Sequence, residues 1–180
     1  MASAKNAKPT WRDVKAELDG FDRAGLLGLI KDLHGASRDN EAFLSARLGL
    51  GTDPLEPYRK AISHWICPDV MKGQNASVAR AKKAISDYKK AIGLPQGVAE
   101  LSVFYCEKAI GLLSWCGMED EGYYAALVRM FEQALRAVDR LPTSERAFFH
   151  GRLDPLRSEV GKLGWGVKDA FDELWYSIVE

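Results

Sequence analysis

The apolar and polar positions of this chain repeat with a helical period along almost its whole length. Val78, Ala81, Ile85, Tyr88 and Ile92 recur at alternating spacings of three and four, which keeps them on one face at about 3.6 residues per turn. The next stretch, 98–116, is apolar nearly all round; Glu100, Glu107 and Ser114, seven apart, leave a narrow wet stripe with Lys108 at its edge. A helix apolar over most of its circumference has to be surrounded by others, so this one is expected at the centre. A further helix over 123–141 points Tyr124, Leu127, Phe131, Leu135, Val138 and Leu141 inward.

The flanks read the same way. Thr10 offers an N-cap to a short helix carrying Trp11, Val14 and Leu18, and Gly20 ends it. Asp22 caps a second helix with a broad stripe of Leu26, Leu27, Leu29, Ile30 and Leu33, closed by Gly35. A third, over 40–48, is expected to turn Phe43, Leu44 and Leu48 inward, and a fourth, over 55–66, carries Tyr58, Ile62, Trp65 and Ile66 up to a stop at Cys67-Pro68. Gly93 with Pro95, and Gly117, close the two helices that follow. Glu119, Asp120 and Glu121 then place negative charge at the start of the next, where the helix dipole favours it.

Thr143 can cap an eighth helix, which Pro155 has to kink or divide because it supplies no amide hydrogen. Gly164-Trp165-Gly166 reads as a turn, and the last helix buries Val167, Phe171, Leu174, Trp175 and Ile178. No segment alternates with the period of a strand. The expectation is an all-α chain: a loose tail at 1–9, then a single domain of seven to nine helices over 10–180.

Composition narrows the class. Twenty-five basic residues against 25 acidic ones give zero formal charge over 180 residues, which speaks against a dedicated nucleic-acid binder while leaving room for a local patch. Three cysteines, Cys67, Cys106 and Cys116, are an odd number and argue against a disulfide framework. The first residues carry lysines with no apolar stretch behind them, and no segment approaches the roughly 18 apolar residues of a membrane span. A cytoplasmic protein with no membrane role is the default.

Most chemistries find no support. Gly49-Leu50-Gly51 opens like a dinucleotide-binding turn, but Pro54 stands where a third glycine belongs and no strand precedes it. His64 and Cys67 have the spacing of two zinc ligands, yet further ligands would have to come from Cys106, Cys116, His34 or His150 through the fold. No catalytic, cofactor-binding or metal-binding residue is assigned, and no cofactor is expected. There is no Gly-x-Ser-x-Gly elbow and no P-loop, and nothing singles out a Cys67–His150 pair. Arg80, Lys82, Lys83, Lys89 and Lys90, against the single acid Asp87, form the one concentrated basic face. It reads as a solvated surface that can also follow a polyanion.

Two stretches carry a resemblance. Arg80-Ala81-Lys82-Lys83-Ala84-Ile85-Ser86-Asp87-Tyr88-Lys89-Lys90, the aromatic-rich helix after it and Met130-Phe131-Glu132-Gln133-Ala134-Leu135 resemble a family of uncharacterised bacterial all-helical proteins. Arg152-Leu153-Asp154-Pro155-Leu156-Arg157, Gly164-Trp165-Gly166-Val167 and Asp172-Glu173-Leu174 are similar to helical segments beside SWIM zinc fingers. The resemblance implies a tetratricopeptide-like stack of helical hairpins. It brings no catalytic residue, and the finger's own cysteines and histidine are absent, so its metal or nucleic-acid role does not follow. Lys90-Ala91-Ile92-Gly93-Leu94 and its echo Lys108-Ala109-Ile110-Gly111-Leu112 are suggestive of stacked helical hairpins but do not make a repeat, since a tetratricopeptide unit needs about 34 residues.

The function expected is therefore a non-enzymatic helical module that binds another protein. Trp11, in a short helix, and Trp165, in a turn, are the candidate partner-binding residues, since tryptophan is enriched at binding hot spots. The alternatives are a nucleic-acid-associated accessory protein using the basic face at 80–90, and an enzyme with a dispersed site.

Overall fold

The computed structural model describes residues 8–51 and 53–179. Residues 1–7, most of the tail expected at 1–9, and Thr52 in the glycine connector lie outside the described residues. Among the described residues the fold is all-α, with nine α-helices, two single turns of 3₁₀-helix and no strand. The helices gather into two compact units, one ending at Leu44 and the other beginning at Ser45.

The first unit holds α1 (Trp11–Leu18), α2 (Arg23–Ala36) and the start of α3 (Arg38–Arg47). Local capping is well developed. The Thr10 amide and hydroxyl both donate to the Asp13 carboxylate at 2.8 Å, and the Gly25 amide donates to Asp22 at 2.7 Å. Burial departs from expectation: α1 and α2 contain no buried residue. The row Leu26, Leu27, Leu29, Ile30 and Leu33 faces outward, from 37% to 52% exposed, as do Trp11, Val14 and Phe43. Caps and period suffice to form these helices, but a buried face also needs opposing apolar surface, which three short elements do not enclose.

The second unit runs through α4 (Glu56–Ile66), α5 (Val78–Ala91), α6 (Pro95–Cys116), α7 (Glu121–Asp139), α8 (Thr143–Glu159) and α9 (Val167–Ile178). Here the apolar pattern is spent on packing. The 22-residue α6 touches α4, α5, α7 and α8, and the ladder continues from α7 to α9. Its approach to α5 depends on Gly97, since a Cβ there would stand 2.0 Å from the Tyr88 hydroxyl. Phe131 of α7 stacks on Phe171 of α9, ring centroids 3.8 Å apart, and the Tyr123 hydroxyl donates to the Ile66 carbonyl at 2.5 Å.

Two details correct the sequence reading. The polar stripe of α6 is an ionic seam at Glu100 and Glu107 and is open to water only toward Ser114. Arg152 of α8 donates to both carboxylate oxygens of Glu107 at 2.8 Å and pairs with Glu100, which Arg59 of α4 also approaches at 3.8 Å. Pro155 does not divide α8, which is continuous through it. The carbonyl that loses its partner belongs to exposed Gly151, where no side chain keeps water away. The five-residue echo, which does not read as a repeat in the sequence, falls at unlike places: Gly93 is left-handed (φ 69°) just past the end of α5, whereas Gly111 lies inside α6.

Candidate binding site

The end of α6 and the turn before α9 build a cleft within the second unit. Gly117 closes α6 in a left-handed conformation, its amide bonded to the Leu113 carbonyl at 3.1 Å, and the last turn carries no basic residue. Three residues on, the Asp120 side chain accepts the Tyr123 amide at 3.0 Å and starts α7, placing Tyr124 in its first turn. Across from these, a 3₁₀ turn over Val160–Lys162 leads into Gly164-Trp165-Gly166, whose φ angles are 72°, 57° and 67°. Leu113, Ser114 and Gly117 of the first strand of wall, Glu119 and Tyr124 of the second, and Lys162, Leu163 and Trp165 of the third enclose about 270 Å³.

Trp165 is the unusual member. It is the only non-glycine residue with positive φ among the described residues, and its indole lies 5.9 Å from the Tyr124 ring at 20°, a stacked pair. Tyr124 is buried beneath it, and burial, with Cys116 and Glu119 nearby, pushes its phenol up. Trp165 itself is 59% exposed. A bulky residue in the left-handed region costs on the order of 1–3 kcal/mol. One aromatic contact, worth about 0.5–1.5 kcal/mol, does not clearly offset that. The turn therefore holds a strained tryptophan and leaves most of its surface in water.

Trp11 belongs to the first unit, where it is 70% exposed on α1. The basic residues of α5 are not one free array. Arg80 packs its guanidinium over the Trp65 ring, 4.2 Å from the centroid. Lys83 donates to Asp87 at 2.6 Å. Lys82 is half-buried, and burial together with the charge of Arg129 on α7 lowers its pKa. Lys89 and Lys90 stand exposed in the last turn of α5.

Among the described residues no three histidine, cysteine or acidic side chains converge as a metal site. Burial pushes the thiols of Cys67 and Cys106 up, the direction opposite to that of an activated nucleophile. No described helix is long and apolar enough to cross a membrane. Comparison with known proteins finds no matching family model, no matching curated protein and no matching solved structure.

Tyr124 and Glu119 were not singled out by the sequence as site residues. Tyr124 reads as a core position, and Glu119 reads as part of a capping cluster in which only Asp120 makes the cap by its side chain. A glycine-flanked tryptophan is the one signal at this site that the sequence carries openly.

Proposed function

We propose that this chain is a non-enzymatic helical module that binds another protein, with Trp165 as its anchor. The observation that carries the reading is the strained, exposed indole stacked on Tyr124 at the wall of a cleft. Strain and exposure both oppose stability, so a role outside the fold is the economical account of them, and tryptophan is among the commonest binding anchors. The ladder in which α6 meets α4 and α8 as well as its chain neighbours supports a tetratricopeptide-like stack, an architecture suited to presenting grooves. A second reading, contact with a polyanion, draws on Lys82 and Arg129 being held near one another on α5 and α7.

The test is a comparison of the wild-type chain with Trp165→Ala. Crosslinked capture from nuclease-treated lysate, followed by direct binding to the purified partner, is expected to be lost in the variant while the melting temperature stays nearly constant. Capture that survives the substitution would sink the reading. Capture that vanishes with nuclease in the wild type would favour the polyanion.

A further inference from the structure

We infer that the Trp165 cleft receives a basic side chain, an arginine or lysine presented by the partner protein. The inference rests on the protein-binding reading above and adds the chemistry of the residue that is bound.

Size is the first constraint. About 270 Å³ lies at or below the small end of small-molecule pockets, which run from roughly 300 to 1,000 Å³, and it suits one long side chain better than a cofactor. Charge is the second. The cleft opens at the carbonyl end of α6, the longest described helix at 22 residues, and no basic residue in its last turn compensates that end. The aligned peptide dipoles place roughly half a negative charge there. Glu119 adds a full one on the lining, and among the described residues it has no ion-pair partner.

The aromatic wall acts in the same direction. One face of the Trp165 ring lies on Tyr124, and the residue remains 59% exposed, so indole surface is left for a ligand. The electron-rich face of an indole attracts a cation, and its apolar area accepts the methylene stem that carries one. The chain already uses this contact twice with its own arginines, Arg80 over Trp65 at 4.2 Å and Arg157 over Trp175 at 4.8 Å. At Trp165 the ring is present, and among the described residues no cation is stacked on it.

Lys162 is the opposing charge on the lining. Its ammonium weakens the attraction for a cation, and that gives the inference a signature in two signs. Removing the Glu119 charge has to weaken binding of a cation, and removing the Lys162 charge has to strengthen it. An acidic ligand reverses both.

The experiment titrates N-acetylarginine methylamide, and separately N-acetylglutamate methylamide, into the intact chain. The readout is the Trp165 indole N–H resonance, assigned by its disappearance in Trp165→Ala and read against the other indole resonances, of which that of Trp115 belongs to the last turn of α6 beside the lining residue Ser114. The arginine probe is expected to shift Trp165 the most. Glu119→Gln should weaken that binding about two- to fivefold and Lys162→Ala should tighten it by a similar factor. Both residues are exposed, so neither variant disturbs the core. A glutamate probe that binds as well as arginine, or an arginine probe that leaves Trp165 unmoved, would overturn the inference. If partner capture still depends on Trp165 in that case, the protein-binding reading stands without it. If capture is indifferent to Trp165, both fall.

Discussion

Helices α2 and α7 carry similar instructions in sequence and meet opposite fates. Each has an apolar row at helical spacing, and each starts at an aspartate that caps it by its side chain. Yet α7 buries nine residues and α2 buries none. The difference lies in the company each helix keeps. α7 lies against α6, α8 and α9, whose own apolar faces meet it. The unit that ends at Leu44 offers α2 only the eight-residue α1 and the start of α3, and Leu26, Leu27, Leu29, Ile30 and Leu33 remain in contact with water. Periodicity is a property of one helix, whereas burial is a property of at least two.

The sharpest way to break this comparison is to remove a large side chain from the packed region. Phe131 is fully buried and stacked on Phe171. Phe131→Ala is expected to cost about 3–5 kcal/mol, transfer and cavity terms together. Denaturant unfolding followed by tryptophan fluorescence measures it, and a loss below about 1 kcal/mol would show that α7 is as loosely held as α2.

How much of this was legible follows from the same distinction. From α4 onward Tyr58, Ile62, Ala81, Ile85, Leu127, Leu135 and Phe171 are buried as the periodicity indicates. Trp65, Ile92, Leu174 and Ile178 of the same rows are only half-buried, and the buried Phe149, Leu153 and Leu156 of α8 were not singled out. The errors are at places where a residue serves a neighbour and not its own helix. Pro95 reads as the terminator of α5, but its fixed φ and missing amide suit the first turn of α6, where it sits. Phe104 belongs to the stretch that reads as apolar nearly all round, but it lies on the polar side of α6, half-buried with the Lys108 ammonium 5.3 Å from its ring centroid. Trp165 was visible as a glycine-flanked tryptophan. Its stacking on Tyr124, 41 positions away, depends on how α7 meets the turn before α9, which no local pattern encodes.

A smaller effect comes from Gly97, where local preference and packing have opposite signs. Alanine is favoured over glycine in a helix by about 1 kcal/mol, so a position governed by α6 alone would be stabilised by Gly97→Ala. The added methyl would stand 2.0 Å from the Tyr88 hydroxyl and 2.4 Å from the ring carbon that bears it. Tyr88 is itself buried, edge-on to Tyr58 at 5.4 Å, and has little room to yield. Overpacking of this kind typically costs 1–3 kcal/mol, and the expected result is a net loss of about 1 kcal/mol. A gain in the melting temperature would show that the α5–α6 contact is slack, and would narrow the contrast between the two regions.

The smallest effect is expected where the sequence looks most like core. Ile30 and Leu33, 44% and 50% exposed, are the kind of residues whose truncation costs 2–5 kcal/mol inside a protein. With about half of their surface already in water, Ile30→Ala and Leu33→Ala should each change stability by no more than about 0.5 kcal/mol. Lysine at the same positions should be tolerated almost as well, since an exposed site imposes no desolvation cost on the ammonium. The lysine variants should also reduce any concentration-dependent association of the chain, because they interrupt a contiguous exposed apolar row. Equilibrium unfolding and sedimentation of the four single variants provide the measurement. Losses of 2 kcal/mol or more at both positions would mean that something covers the row in solution, and the contrast between α2 and α7 would then disappear. Small losses would establish that fourteen residues with a good cap and a clean stripe can form a helix here without that stripe being part of the core.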